Sequence, residues 1–408
     1  MGRITKVFGQ HDERTLIQLE DVASRADAAA LMADGHVGYV MPIGGVAAYD
    51  NKVSVVGVGF DIGCGNAAIR TNVSATQFER EDWEYLADEI AATVSFGVGR
   101  SNAADDAPVD NPLFASDAWS LLPREAKTET LLAKARAQLG TVGSGNHYVD
   151  VFADENDAVW VGVHFGSRGL GHTIASGFLA LSQGKPWGER VKEVEALLDV
   201  KTPLGDDYWN LMELAGEYAY AGREWVARKV ISIFGGAELE LVHNHHNFAW
   251  RERQIIDGEP REVVVVRKGA TPAFPGQKGF IGGSMGDDAV IVRGASSGSA
   301  EQTNALYSTV HGAGRVMSRT QAAGKTKGWG KKKRIVSPGL VSPEMLTKWV
   351  VDEKRVILRG GGLDEAPQAY RRLPAVLEAQ GDTIEVLHTL KPIVVVMAGA
   401  DEFDPYKD

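Results

Sequence analysis

Disulfide chemistry is excluded at once, because the 408 residues contain a single cysteine, Cys64. No internal bridge can form, and a reducing setting such as the cytoplasm is expected. Long apolar runs are also missing. None is long enough to span a bilayer, and the start Met1-Gly2-Arg3-Ile4-Thr5-Lys6 lacks the apolar core of a secretory signal. Lys6 breaks the myristoylation pattern as well. Positive charge is scarce, with 43 Lys and Arg against 54 Asp and Glu and a formal net charge of −11. That balance excludes a protein that coats nucleic acid non-specifically, so any such contact must come from a local basic patch. No Walker loop, Rossmann fingerprint or internal repeat is present. Apolar content of 44% and charged content of 24% allow a large core.

What the chain does have is centred on Gly59-Phe60-Asp61-Ile62-Gly63-Cys64-Gly65-Asn66. Apolar Val55–Val58 precede it, a pattern that predicts a buried strand running into a glycine turn. Further along, the spacing of Val22, Ala26, Ala29, Ala30 and Ala33 predicts a helix ending at Gly35. Helices are also expected over 75–94, 117–138, 207–233, 343–353 and 366–379. Strands are expected at 157–164, 262–267, 289–293 and 393–396. Strands and helices mix without a βαβ rhythm, which predicts an α+β fold, β-sheets flanked by helices.

A lone cysteine is ordinarily a small buried hydrophobe. Here six of ten histidines lie in glycine- or asparagine-rich segments that read as strand ends: His147, His164, His243, His245, His246 and His311. Asp61, Cys64, His147, His164 and His246 stand on four separate segments, too far apart for a zinc finger. Brought together at strand ends, they make a ligand set for one or two divalent ions, and a thiolate can bridge two metals. In His243-Asn244-His245-His246 the imidazoles cannot all face one way along a strand, so at least one is a bystander. His311-Gly312-Ala313-Gly314-Arg315 places an imidazole among small residues with a phosphate-binding guanidinium nearby; a structural histidine in a turn is the alternative. The loops Arg267-Lys268-Gly269-Ala270 and Gly282-Gly283-Ser284-Met285-Gly286 suit anion nests or plain glycine hairpins. Lys325–Arg334, basic around Trp329, suits single-stranded nucleic acid or a solvated loop.

These motifs, in this order and across most of the chain, resemble the RtcB family of RNA-splicing ligases. The resemblance implies one RtcB-like domain over residues 1–408, with GTP and Mn²⁺ (two ions) as cofactors. It implies joining of RNA 3′-phosphate or 2′,3′-cyclic phosphate ends to 5′-hydroxyl ends through a GMP–histidine intermediate. Carried over residue by residue, His311 becomes the nucleophile. Asp61, Cys64, His147, His164 and His246 become the metal ligands, with Cys64 bridging. Asn146, Asp150, His246, Asn247, Gly283, Ser284, Met285, Gly286, Gly312, Ala313, Gly314, Arg315 and Tyr370 fall around the nucleotide. RNA and GTP are the expected partners, with a monomer as the working expectation. Such a mixed donor set should hold Zn²⁺ more tightly than Mn²⁺.

Three departures accompany the resemblance. The family's Pro-Asp-x-His segment reads Pro42-Ile43-Gly44-Gly45 here, without carboxylate or imidazole. Asp150 replaces a glutamate that contacts guanine. The closing Val-Lys-Gly reads Val396-Met397-Ala398-Gly399, so a guanine-contacting lysine is gone. These changes predict loosened guanine selectivity. Two rival readings stand beside the ligase: a metal-dependent phosphatase or hydrolase of RNA ends, and a non-catalytic RNA-repair subunit.

Overall fold

A computed structural model of the chain describes residues 3–102, 106–296, 298–327 and 334–399. Two sheets organise it. The larger runs Lys278–Ile281, Ala289–Gly294, Ile384–Gly399, Tyr148–Ala153, Ala158–Phe165, Gly65–Ser74 and Glu238–His245, with Ile357–Gly361 paired onto Ile384–Gly399. Nearly all of its pairings are antiparallel, as expected without βαβ units. The Asn244 side chain ties one end strand to the other: Nδ2 donates to Lys278 O at 3.0 Å and Oδ1 accepts from Phe280 N at 3.1 Å. The sheet is thereby almost closed on itself. The second sheet orders Arg3–Val7, Ala28–His36, Ile43–Tyr49, Glu259–Lys268 and Asn247–Ile256. Helices and sheets in this mixture make the fold α+β.

The strand Ala158–Phe165 shows why the expected strands form. Val159, Trp160, Val161 and Val163 are all fully buried, so the segment is apolar on both faces and sits mid-sheet. Across it packs the long helix Pro203–Phe234. Thr202 caps its start by accepting from Gly205 N, Pro203 fills the first turn, and Gly235 closes it in the left-handed region at φ +74°. Among the described residues no helix is long and apolar enough to cross a membrane.

Three local expectations are corrected. The helix predicted to run to Gly35 ends at Ala23, and Ala28–His36 is a strand. Alanine favours helix, but Ala28 to Leu31 are completely enclosed and pair with Gly45 to Ala48, and pairing outweighs propensity. Val55–Val58 is one helical turn rather than a strand, because the Ser54 side chain caps it by accepting from Gly57 N. The 117–138 helix is broken at Pro123 into 3₁₀ turns followed by Thr128–Gln138. Of the basic cluster Lys325–Arg334, residues 328–333 lie outside the described residues; the flanking Gly324–Lys327 and Arg334–Pro338 pair as antiparallel strands.

Candidate metal centre and adjoining histidine

The register of the large sheet brings four segment ends to one place. Gly65 opposes both Phe165 and His245, while His164 opposes Asn66 and Tyr148. Cys64 therefore starts one strand where His164 nearly ends the next, and His147 and His246 lie just beyond the strands beside them. Asp61 completes the group from the turn ahead of Cys64, whose N–H donates to Asp61 O at 3.0 Å. The Asp61 carboxylate lies against Gly166, where a Cβ would stand only 2.3 Å from Oδ1, so this position must be glycine.

The donor atoms fall into two triads that share one sulfur. Cys64 Sγ is 3.4 Å from His164 Nε2, which is 3.3 Å from His246 Nε2. Cys64 Sγ is also 3.7 Å from His147 Nε2, which is 3.2 Å from Asp61 Oδ2. Ligands held about 2.0–2.3 Å from a tetrahedral ion lie about 3.3–3.8 Å from each other, so these separations fit a small divalent transition ion in each triad. His164 Nδ1 donates to Asn146 O at 2.8 Å, which leaves Nε2 as a bare lone pair facing the cluster. Burial, reinforced by the neighbouring His147, lowers His164 to about 3, and burial puts His246 well below its usual range. Both are neutral at pH 7, the form that binds metal. Burial and the Asp61 charge push the Cys64 thiol up. Burial alone would raise Asp61, yet its contacts with His147 bring it to about 2.

His311 stands at the His246 end, with ring centroids 4.9 Å apart. Its Nδ1 lies 2.6 Å from Oδ2 of Asp34, a carboxylate with no exposed side-chain surface. The same Oδ2 accepts from His311 N at 3.0 Å and Gly312 N at 3.3 Å. One carboxylate thus fixes the backbone here and stands close against the ring, although the Nδ1 approach is not aligned as a hydrogen bond among the described residues. Gly269 backs this ring, since a Cβ there would meet His311 Cε1 at 3.2 Å.

This corrects the first departure. The carboxylate and imidazole absent from Pro42–Gly45 are supplied by Asp34 and His36, at the end of the preceding strand. His36 Nδ1 donates to Asp34 O at 3.0 Å. An Asp-Gly-His triplet eight residues upstream was the available signal.

The sequence-predicted nucleotide residues are placed unevenly. Gly282 O lies 3.4 Å from where a Gly312 Cβ would be, so the 283–286 loop borders His311. Within that loop Ser284 donates to Asp287, while Met285 is a core side chain packed with Val350, Val356, Val395 and Met397. Only the Met285 backbone is available to a ligand. Ala313 is buried, and Gly314 sits against Asp34 O. Arg315 is not aimed at open phosphate space. It donates to Glu365 Oε2 at 3.1 Å, Tyr370 OH at 2.8 Å, Asp364 O at 2.6 Å and Met317 O at 3.1 Å. Tyr370 also bonds Glu365, and its ring lies under the Arg315 guanidinium at 4.9 Å. Asn146 is exposed at the rim. Asn247 Oδ1 accepts from Gly269 N at 2.8 Å and so shapes the turn behind His311. Asp150 is buried mid-strand; burial pushes its carboxyl well up, and Oδ1 has no hydrogen-bond partner among the described residues.

Two cations complete the surroundings. Arg223 is fully buried on the long helix. It donates to Gly63 O at 2.7 Å and Phe165 O at 2.6 Å, the carbonyls adjoining Cys64 and His164 in sequence. It also donates to His243 Nε2 at 2.9 Å and reaches His245 Nδ1 at 3.0 Å. Burial lowers it to about 10, so it stays charged at neutral pH. A guanidinium only donates, so His245 Nδ1 accepts here and its 3.0 Å approach to Gly63 O is a contact rather than a second bond. His243 and His245 therefore face the helix while His246 faces the cluster, the alternation a strand imposes. Lys268 Nζ fills the space beside Gly59, and burial lowers it to about 8 against the pull of Cys64 and Asp61. Its neighbour Arg267 is instead locked to Glu252 at 2.7 and 2.9 Å, far from any anion nest.

An α+β frame that gathers a cysteine, a carboxylate and imidazoles beside a histidine that faces a buried carboxylate defines a candidate two-metal centre with a neighbouring histidine. Comparison with known proteins gives the family. The family described as tRNA-splicing ligase RtcB matches residues 16–398, and the chain belongs to that family. It is 32% identical over 392 residues to the RNA-splicing ligase RtcB of Escherichia coli (strain K12), covering 90% of this chain and 89% of that protein. It is likewise 32% identical over 439 residues to the tRNA-splicing ligase RtcB of Thermococcus kodakarensis, covering 90% and 87%. The tRNA-splicing ligase RtcB of Pyrobaculum aerophilum matches at 32% over 420 residues, covering 86% and 83%.

Proposed function

We propose that this protein is an RNA ligase that joins 3′-phosphate or 2′,3′-cyclic phosphate ends to 5′-hydroxyl ends. The reading holds that His311 Nε2 attacks the α-phosphorus of GTP, forms a P–N bond and releases pyrophosphate. The GMP then passes to an RNA 3′-phosphate, and a 5′-hydroxyl displaces it to seal the strand. A cyclic phosphate is first opened to the 3′-phosphate. The observation that carries this reading is the buried Asp34 carboxylate 2.6 Å from His311 Nδ1, beside the Cys64-centred donor set. Attack requires a neutral imidazole turned with Nε2 outward, and Asp34 holds that orientation and stabilises the positive charge the ring gains. Asp61, Cys64, His147, His164 and His246 would hold two divalent ions, Mn²⁺ in this reading, which shield the triphosphate and orient the leaving group. Lys268 places further positive charge at the Asp61 side.

Guanine selectivity is relaxed in this reading. Asp150 is a short, deeply buried carboxyl, and Val396-Met397-Ala398-Gly399 lacks the lysine that the resemblance implies. The test is covalent labelling with Mn²⁺ and α-labelled GTP or ATP, followed by denaturation, with His311→Ala alongside. A label lost in the variant supports the nucleotidyl step, and equal labelling by both nucleotides supports the relaxed choice. Strict GTP preference sinks the latter. No adduct from metal-loaded protein, with phosphate released from RNA ends, would move the assignment to a hydrolase.

A further inference from the structure

At the Asp61 end of the donor cluster three aromatic rings stand in a row. Tyr39 meets Phe60 edge to face, with centroids 6.5 Å apart at 86°, and Phe60 meets His172 at 5.5 Å and 34°. Tyr39 is 54% exposed, and Phe60 and His172 are each partly exposed. Phe60 immediately precedes Asp61, so its ring begins one peptide bond from a candidate metal ligand. The row is also rigid. Gln18 Nε2 donates to Gly38 O at 2.7 Å and Tyr39 O at 3.3 Å, while Gly38 N donates back to Gln18 Oε1 at 3.0 Å. The turn that presents Tyr39 is thus clamped from both sides.

Charge of both signs lies beside the row: Lys134 is exposed and Lys268 is buried, while Tyr39 shares its depression with Arg25, Asp21 and Glu195. Lys268 Nζ fills the space at Gly59, next to Phe60. Lys134 Nζ lies at Gly169, one turn before His172 at the start of the helix Arg168–Ser182. One exposed and two partly exposed rings with the exposed cation Lys134 at one end, beside a centre suited to phosphate chemistry, match the needs of single-stranded nucleic acid. The π-faces take bases and the cations take backbone phosphates. A peptide partner would use neither the cations nor the nearby donor set.

We infer that Tyr39, Phe60 and His172 form a stacking platform for the terminal nucleobase of an RNA strand whose end lies in the donor cluster. This rests on the RNA-end reading above and adds where the base goes. Stacking is tolerant of base identity, so the platform holds an end without selecting its sequence.

The test uses the full-length, metal-loaded protein without GTP. Short RNAs carry 2-aminopurine at the 3′-phosphate nucleotide in one arm and at the 5′-hydroxyl nucleotide in the other. Abasic versions of each serve as controls. The expected result is fluorescence quenching in one arm, identifying which end docks here. In that arm the abasic RNA, Tyr39→Ala and Phe60→Leu should each weaken binding on the order of tenfold, the scale of one stacked base. Tyr39 is exposed enough that its replacement should fold normally, and Phe60→Leu keeps apolar bulk while removing the ring. Absence of quenching at both ends, or abasic RNA bound as tightly as the parent, would overturn the platform. His311 labelling is read separately: quenching without an adduct would retain the platform and remove the ligase step, and an adduct without quenching would do the reverse.

Discussion

Replacing Arg223 with methionine is the sharpest test of how the centre is held. Methionine keeps most of the apolar volume and removes every donor. The change strips hydrogen bonds from the carbonyls of Gly63 and Phe165 and from the imidazoles of His243 and His245, three of them fully buried and that of His243 part-buried. Each buried acceptor left unpaired costs about 1–3 kcal/mol. The two imidazoles can recover part of that by changing tautomer, so a total of about 3–6 kcal/mol is expected. Urea unfolding of metal-free protein, followed by tryptophan fluorescence, measures it. Because Gly63 and Phe165 adjoin Cys64 and His164, equilibrium dialysis should show weaker divalent-metal binding as well. Arg223→Lys should recover only part of either loss, since an ammonium cannot span four acceptors in fork geometry. A stability loss below about 1 kcal/mol with unchanged metal affinity would refute the account.

Other outcomes follow from the same geometry. Asp34→Asn should fold normally but slow labelling of His311 on the order of 10²–10⁴-fold, because a carboxamide cannot hold the ring and stabilise its charge together; wild-type labelling rates would refute this. Cys64→Ser should lower metal content in both triads and Asp61→Asn in only one, a difference that metal analysis of dialysed protein reads directly. Stability of the metal-free protein should fall as pH drops below about 6.5. Burial holds His36 at about 4 and His243 at about 3 when folded, so the unfolded chain takes up protons first. The loss should continue down through those values and be absent above pH 7; a urea midpoint unchanged between pH 7 and 5 would contradict it.

The donor group was legible in the sequence because Cys64, His147, His164 and His246 sit at or next to strand ends and Asp61 in the turn before one, beside glycine and asparagine that mark such places. The long helix was legible from its apolar spacing over 207–233, although its capped start at Thr202 and Pro203 was not read. Asp34 was harder to see, since Ala28–Ala33 has the composition of a helix and only pairing with the 43–49 strand makes it extended. Arg223 gave no signal at all: an arginine on an amphipathic helix ordinarily faces water, and its acceptors come from three other segments. Arg315 carried a misleading signal. Its motif suits phosphate, but Glu365, far away in sequence, takes the charge. Sequence shows which groups a chain owns; partners brought in by tertiary packing decide what those groups are left free to do.

The sharing of Cys64 between two triads has a consequence for the order of assembly. The donors stretch from Asp61 to His246, and the bond from His246 N to Cys64 O that seats the last of them, 2.8 Å long, forms only when the Glu238–His245 strand docks. A ribosome-bound chain therefore cannot hold the complete set until much of the protein has been made. The Asp61–Cys64–His147 triad is available once residue 147 has been made, whereas the Cys64–His164–His246 triad waits for residue 246. An ion in the second triad would therefore enter last, and its identity would depend on what the surroundings offer at that moment. Purified protein would thus carry a record of its expression conditions in its metal content.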